Sequence, residues 1–239
     1  DELDAWGSSC LFGALYHLIY GCDITVTVND YAGTPMLNID SDEMINRVSY
    51  LFNDVLRSGD MWLEGYTDDA IDMLARGDML FYHTLVSHIH RFRDYDFNYG
   101  VLPLPKYDEA QTRYTSEVNP AWYTCYSIPN TVTDLDYVST VLETLSGFST
   151  DTVDNAIYNT LLGYDSQLIT DDDSVEMLKI VFDGKLFDWS GFSAAGQAKD
   201  IFLSQTTQTS FKYVSEVDAM YDAVEGTLNE FIAVFEELD

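Results

Sequence analysis

Apolar residues recur along the chain with two different periods, and the change of period separates predicted helices from predicted strands. The clearest helical period covers about residues 215–238, where apolar side chains recur at i, i+3, i+4 and i+7. Residues 10–20 are apolar on nearly every side, which predicts a buried helix. Residues 24–28 alternate with a period of two, and turn residues lead from them to an apolar patch at 35–37. That pattern predicts a β-hairpin.

Capping residues, glycines and prolines mark the ends of further predicted elements. A helix begins at Asp40, with Glu43 in capping-box spacing, and ends near Gly59. Residues 61–63 are expected to form a loop. The remaining predictions are strands at 79–82 (buried) and 99–102, and helices at 68–75, 85–93, from a Thr133 cap to Leu145, 152–162, 175–182 behind a Ser174 cap, and 192–203. Many helices with a few short strands predict a helix-rich α/β fold.

The charge of the chain limits its partners. Lys and Arg number 11 and Asp and Glu number 41, so the formal net charge is −30 at pH 7. Nucleic-acid binding needs clustered basic residues, and an anionic membrane surface would repel this chain. The charge keeps a monomer dispersed, and it favours a ligand that is neutral or cationic, or one held in a shielded pocket.

No catalytic or metal motif is present. The sequence contains no nucleophile elbow, Walker A loop or dinucleotide fingerprint, so no catalytic residue, metal or cofactor is predicted. Residues 171–173 are three aspartates that resemble half a calcium loop, but they also suit the acidic first turn of a helix. His83 differs from the other histidines because it follows a predicted strand, where ligand-contacting residues often lie.

The cysteines and tryptophans leave alternatives open. Cys10 and Cys22 are bridged only if the fold brings them together, and free buried thiols are the favoured alternative. The four tryptophans, Trp6, Trp62, Trp122 and Trp189, all fall outside predicted helix interiors. Such a residue is either a plug in the core or a ring that stacks on the C–H face of a sugar or another amphipathic ligand.

Several segments resemble a known family in their order and spacing. MLARGDM at 73–79 corresponds to a family segment F-x-x-G-x-A-M, and YGVLPLPK at 99–106 corresponds to a strand Y-G-x-x-P-x-P-K. NPAWYTCYSIPN at 119–130, KIVFDGKLFDW at 179–189 and the long terminal helix fit the same order. The chain therefore resembles, over nearly its whole length, the extracellular solute-binding proteins of ABC importers, family 1, of the sugar-binding type found in gut Firmicutes.

The resemblance implies a periplasmic-binding-protein-like, type II, two-lobed fold of which this chain holds an incomplete, helix-rich part. Residues 1–118 would form most of the C-terminal lobe. Residues 119–165 would cross into the N-terminal lobe and return, and residues 166–239 would supply further C-terminal lobe helices. The abrupt apolar start suggests a piece of a longer protein, whose signal peptide and lipid anchor would lie outside this chain.

The resemblance also implies a function without covalent chemistry. A carbohydrate, expected to be an oligosaccharide, would bind in an interlobe cleft by aromatic stacking and hydrogen bonds, and ABC permease subunits would be the partners. The protein would be extracellular, monomeric and anchored as a lipoprotein. A carbohydrate-active enzyme domain using paired carboxylates and a non-catalytic interaction domain are the alternatives. Carried over by position, the implied cleft residues are Trp6, Ser8, Ser9, His83, Thr84, Trp122, Tyr123 and Trp189. His83-Thr84 stands where many relatives have a Gly- or Trp-containing turn, which leaves the identity of the solute open.

Overall fold

A computed structural model of the chain describes residues 6–9, 14–62, 69–118, 125–156, 169, 171–191 and 197–236. The α-helices in this part are α1 (Ala14–Gly21), α2 (Asp42–Tyr50), α3 (Asp69–Arg76), α4 (Leu135–Ser149), α5 (Asp172–Asp183), α6 (Gln197–Thr207) and α7 (Tyr213–Glu236). The strands are β1 (Trp6–Ser9), β2 (Thr27–Asn29), β3 (Pro35–Leu37), β4 (Met61–Trp62), β5 (Met79–Tyr82), β6 (Ser116–Glu117) and β7 (Lys185–Leu186). The fold is therefore mixed α/β and rich in helix, as the pattern predicted.

Several helical segments depart from the α form. A π-helix at Leu51–Leu56 continues α2, and another at Thr150–Asp154 continues α4. Trp189–Gly191 is a short 3-10 turn. The helix predicted at 85–93 is present as a 3-10 helix at Val86–Asp94. Among the described residues, none of the helices has the length and apolar character needed to cross a bilayer.

A three-stranded parallel sheet of order β4-β1-β5 organises the N-terminal part of the chain. Ser8 pairs with Met61 and Ser9 with Trp62 on one side, while Trp6 pairs with Met79 on the other. The predicted loop at 61–63 is thus wrong at residues 61–62, because two residues paired to β1 have no alternating pattern of their own. The strand at 79–82 is confirmed, but not its burial, since Leu80 and Phe81 are exposed.

Two smaller sheets complete the strand pairing of the described residues. The predicted hairpin is confirmed, since β2 pairs with β3 in antiparallel register. Its turn is closed by Asp30 Oδ1, which accepts hydrogen bonds from Ala32 N at 2.7 Å and Thr34 N at 2.8 Å, while Gly33 has a φ of 89°. The parallel pair of β6 with β7 was not predicted.

The first residues of two helices correct the predicted caps by one position. Ser41, not Asp40, caps α2, because Ser41 is extended and its Oγ accepts a hydrogen bond from Met44 N at 3.2 Å. Asp134, not Thr133, caps α4 by accepting from Tyr137 N at 2.9 Å. Neighbouring Ser, Thr and Asp residues all favour this position, so sequence alone does not rank them.

The start of α5 corrects a predicted cap and a predicted strand together. Asp171 Oδ1 accepts a hydrogen bond from Ser174 N at 2.7 Å, so the aspartates form an acidic helix start and Ser174 is not the cap. Ser174 Oγ instead accepts from Val101 N at 2.9 Å. Residues 99–102 form no strand. The backbone N–H of Val101 is bonded to a side chain, and Pro103 has no backbone N–H to donate to a neighbouring strand.

The chain divides into two compact units. The first consists of residues 1–85, 103–121 and 180–239, and the second of residues 86–102 and 122–179. The assignment of residues 1–118, 119–165 and 166–239 to lobes stays a prediction. In the second unit, Phe92, Phe97 and Tyr99 form an aromatic cluster, with a ring-centroid distance of 4.9 Å between Phe92 and Tyr99.

The first unit has a continuous apolar core. Helix α1 packs against α6, and α6 packs against α7, so that Leu15, Ile19 and Phe202 are fully buried. The predicted core face of α7 is confirmed at Val217, Val224 and Leu228, which are buried; Phe235 on the same stripe is exposed. By contrast α4, in the second unit, has no buried residue, and Leu135 and Leu145 of its predicted apolar face are exposed.

A buried carboxylate joins three parts of the first unit. Asp188 accepts hydrogen bonds from the Tyr20 hydroxyl of α1 at 2.9 Å and from Val26 N at 2.6 Å. It also accepts from Thr27 Oγ1 of β2 at 2.5 Å and Ser190 N at 2.9 Å. Burial, and secondly the charge of Asp188, raise the pKa of Tyr20, so this phenol stays protonated and remains a donor.

We predict that Asp188→Asn lowers the free energy of unfolding by about 2–4 kcal/mol. The buried donors lose a charged acceptor, and some of them then face the NH₂ group of the asparagine side chain. Urea unfolding followed by circular dichroism measures the change. Asp218→Asn, on the exposed side of α7, is the matched control and should stay within about 0.5 kcal/mol of the wild type. An Asp188→Asn variant as stable as the control would contradict a supporting role for this carboxylate.

A second prediction concerns Gly184, which precedes β7. A Cβ at this position would overlap the backbone carbonyl oxygen of Tyr114, next to the Ser116 N to Gly184 O hydrogen bond of 3.0 Å. Gly184→Ala should therefore destabilise the fold by about 1–3 kcal/mol. Gly226→Ala on α7, where a Cβ meets no atom within 4 Å, should instead stabilise it by about 0.5–1 kcal/mol. Thermal denaturation should show a lower melting temperature for Gly184→Ala and a higher one for Gly226→Ala. Shifts of the melting temperature in the same direction would refute this account.

Candidate functional site

Four of the predicted site residues lie at the carboxyl edge of the parallel sheet. Ser8 and Ser9 end β1, and His83 and Thr84 directly follow β5. Since the two strands are parallel and Ser9 pairs with Tyr82, these residues share one edge. Ligands of open α/β sheets bind outside the carboxyl ends of the strands. The edge is therefore the candidate binding site.

The structure describes two of the other predicted residues, Trp6 and Trp189. Trp6 opens β1 and lies three steps of extended chain, about 10 Å, from Ser9. Trp189 is exposed and contacts Phe231 of α7, with ring centroids 6.2 Å apart. Trp122 and Tyr123 lie outside the described residues, so their proposed ligand contacts stay a prediction.

Trp62 adds an aromatic ring to the edge. It ends β4 in register with Ser9 and is half-buried. Sequence reasoning noted this residue among the tryptophans but did not include it in the site. Its pairing with β1 is what brings it beside the two serines.

Two polar atoms at this edge are buried without a partner. Ser9 is buried, and its Oγ forms no hydrogen bond; His83 Nδ1 is also buried and unbonded. Native proteins rarely leave buried polar groups without a hydrogen bond, so such groups often bond to a ligand or to water. By comparison, the neighbouring Ser8 Oγ is satisfied by the carbonyl of Ser9 at 3.2 Å.

His83 is an uncharged hydrogen-bonding group at neutral pH. Burial, and secondly the neighbouring His17, lower the pKa of His83 to about 3. A neutral imidazole presents one donor nitrogen and one acceptor nitrogen. The side chain can therefore exchange hydrogen bonds with a hydroxyl but supplies no charge for an anion.

His17 and Glu117 extend the site inward. The rings of His17 and His83 meet edge to face with centroids 5.6 Å apart, and His17 Nδ1 lies 3.1 Å from Glu117 Oε2. Sequence analysis missed both residues. A histidine inside the apolar segment 10–20 was the available indication, because a polar side chain in a buried helix needs a partner.

Two of the three cysteines lie in the described part of the chain, and both are free thiols. Cys22 is a free, buried thiol, and burial raises its pKa to about 11. Cys125 is free and exposed, while Cys10 lies outside the described residues. In the part of the chain that the structure describes, no group of three or more His, Cys, Asp and Glu side chains is arranged to hold a metal ion.

Comparison with known proteins identifies no relative: no family model, no curated protein and no solved structure matches the chain.

We predict that His83 makes stability fall with acidification. The unfolded chain, with a His pKa near 6.5, binds more protons than the folded chain between pH 6.5 and about 3, so the free energy of unfolding decreases as the pH is lowered through this window. Between pH 6.5 and 5.0 the wild type should lose roughly 1.5 kcal/mol more than His83→Gln.

Urea unfolding at both pH values tests this prediction. The control is His90→Gln, which alters an exposed histidine of the second unit and should keep the wild-type pH dependence. If His83→Gln and the wild type lose stability equally, His83 is not held neutral by the fold.

Proposed function

We propose that the chain is the solute-binding component of an ABC importer and that its solute is a carbohydrate. The observation that carries the proposal is the pair of buried, unpartnered polar atoms, Ser9 Oγ and His83 Nδ1, at the carboxyl edge of a parallel sheet. The proposal also includes the extracellular, membrane-anchored setting and the ABC permease subunits that the resemblance implies.

The chemistry of the edge suits a neutral, hydroxylated ligand. Each sugar hydroxyl both donates and accepts hydrogen bonds, so it can satisfy the serine Oγ and the uncharged imidazole together. Trp62 supplies an aromatic ring in the adjacent strand for the C–H face of a sugar. The net charge of −30 likewise favours a neutral solute over an anionic one.

The order of the segments at 73–79, 99–106 and 179–189 supports the importer part of the proposal. The first of these supplies the last turns of α3, the turn at Gly77, whose φ is 80°, and the start of β5. This helix–strand unit delivers His83 to the sheet edge. The fold itself, a helix-rich α/β arrangement with small parallel sheets, is compatible with a periplasmic-binding-protein-like architecture, which remains part of the proposal.

Isothermal titration calorimetry of the chain against glucose, galactose, maltose, lactose and cellobiose tests the proposal. At least one sugar should bind, and His83→Ala and Ser9→Ala should each weaken it about tenfold, because each change removes a hydrogen bond to a buried partner. His90→Ala is the matched control and should leave the affinity unchanged.

The sugar recovered after titration separates the alternatives. Unchanged sugar is the result expected for a binding protein, whereas hydrolysed sugar would favour a carbohydrate-active enzyme with paired carboxylates. Absence of binding across the whole panel would count against the proposed function and favour a non-catalytic interaction domain.

A further inference from the structure

A buried acid lies behind the sheet edge and is not explained by the fold. The side chain of Glu117, on β6, is only 3% exposed, and its Oε2 has no hydrogen-bond partner. That oxygen lies 3.1 Å from His17 Nδ1. Asp188, the other acid of this region, is saturated with donors and explained by the hairpin and helix it joins. An under-satisfied buried carboxylate is costly to the fold, so a role at the site is the better explanation.

A row of contacting side chains leads to the sheet edge, from Glu117 through His17 to His83. Glu117 contacts His17, and the edge of one histidine ring meets the face of the other at 5.6 Å between centroids. Tyr16 lies beside His17 at 5.7 Å between centroids, and the ammonium of Lys199 is held over the Tyr16 ring at 4.6 Å. The nearby cation is therefore engaged with an aromatic face.

The charges of this series disfavour an anion at the edge. Protonated His17 repels a second positive charge on His83, and neutral His17 leaves the buried charge of Glu117 uncompensated. In the first case the pair of His17 and Glu117 is neutral overall, and in the second it is negative. Burial, the larger cause, keeps His83 uncharged at neutral pH, so this side chain is not a cation that could pair with a carboxylate or phosphate.

We propose that Glu117 and His17 are positioning residues that set the solute class, so that the site accepts neutral sugars and rejects sugars bearing a carboxylate or phosphate. The inference rests on the proposed function for its ligand, but the coupling of His17 to His83 is a property of the protein without any sugar.

The first test needs no variant. Calorimetry compares glucose with glucuronate and galactose with galacturonate, pairs that differ by one carboxylate. The neutral member of a pair should bind at least about tenfold more tightly than the acidic member. Equal or tighter binding of a uronate would overturn the inference and leave the proposed function intact.

The second test removes the buried charge. Glu117→Gln keeps the shape of the side chain and should reduce the ratio of the affinities for the neutral and the acidic sugar about tenfold. Glu230→Gln, which alters an exposed acid on α7, should leave this ratio unchanged. A preference that is the same in Glu117→Gln and wild type would show that this acid does not set the solute class.

The third test does not depend on any sugar. Nuclear magnetic resonance titration of the ring of His83 should show its pKa rising in His17→Gln, because the neighbouring charge that helps to lower it is gone. Burial, the larger cause, should still keep it below its ordinary value. An unchanged titration would overturn the coupling. A shifted titration in a protein that binds no sugar would instead support the coupling and contradict the proposed function.

Discussion

The first unit depends on one buried carboxylate that is fully satisfied. Asp188 accepts hydrogen bonds from α1, from Val26 and from the first strand of the hairpin, all more than 160 residues away in sequence, and from Ser190 N in the turn after β7. A buried charge is tolerated only when its lone pairs are filled by donors, and here backbone N–H groups provide part of that set. The turn after β7 is thereby fixed against the N-terminal elements.

The position of the site follows from that arrangement. Tyr20 is bonded to Asp188, and its hydroxyl lies 3.1 Å from the hydroxyl of Tyr16, one turn earlier on α1. His17 is the next residue of that helix, so the two tyrosines hold the helix in the rotation that brings the His17 ring to His83. A structural network and the candidate site thus share a single short helix.

The two networks differ in how completely their polar atoms are paired. Around Asp188 the donors converge on both carboxylate oxygens. At the sheet edge, Ser9 Oγ and His83 Nδ1 have no hydrogen bond. Because an unmade buried hydrogen bond costs about 1–3 kcal/mol, completing these bonds with a ligand is a source of affinity that the Asp188 network cannot offer.

Local patterns in the sequence determined the hairpin and the core face of α7 through the period of their own side chains. Continuous apolar runs determined the strand at 79–82 and the buried helix within 10–20. The strand-to-helix position of His83 and the proximity of Ser9 were also predicted, the latter by family resemblance. Strand β4 and the pair of β6 with β7 could not be predicted, since two-residue strands have no period and their partners are distant in sequence. The same reason explains why His17 and Glu117 were missed: they are 100 positions apart, and only the packing of α1 against β6 brings a histidine and an acid together.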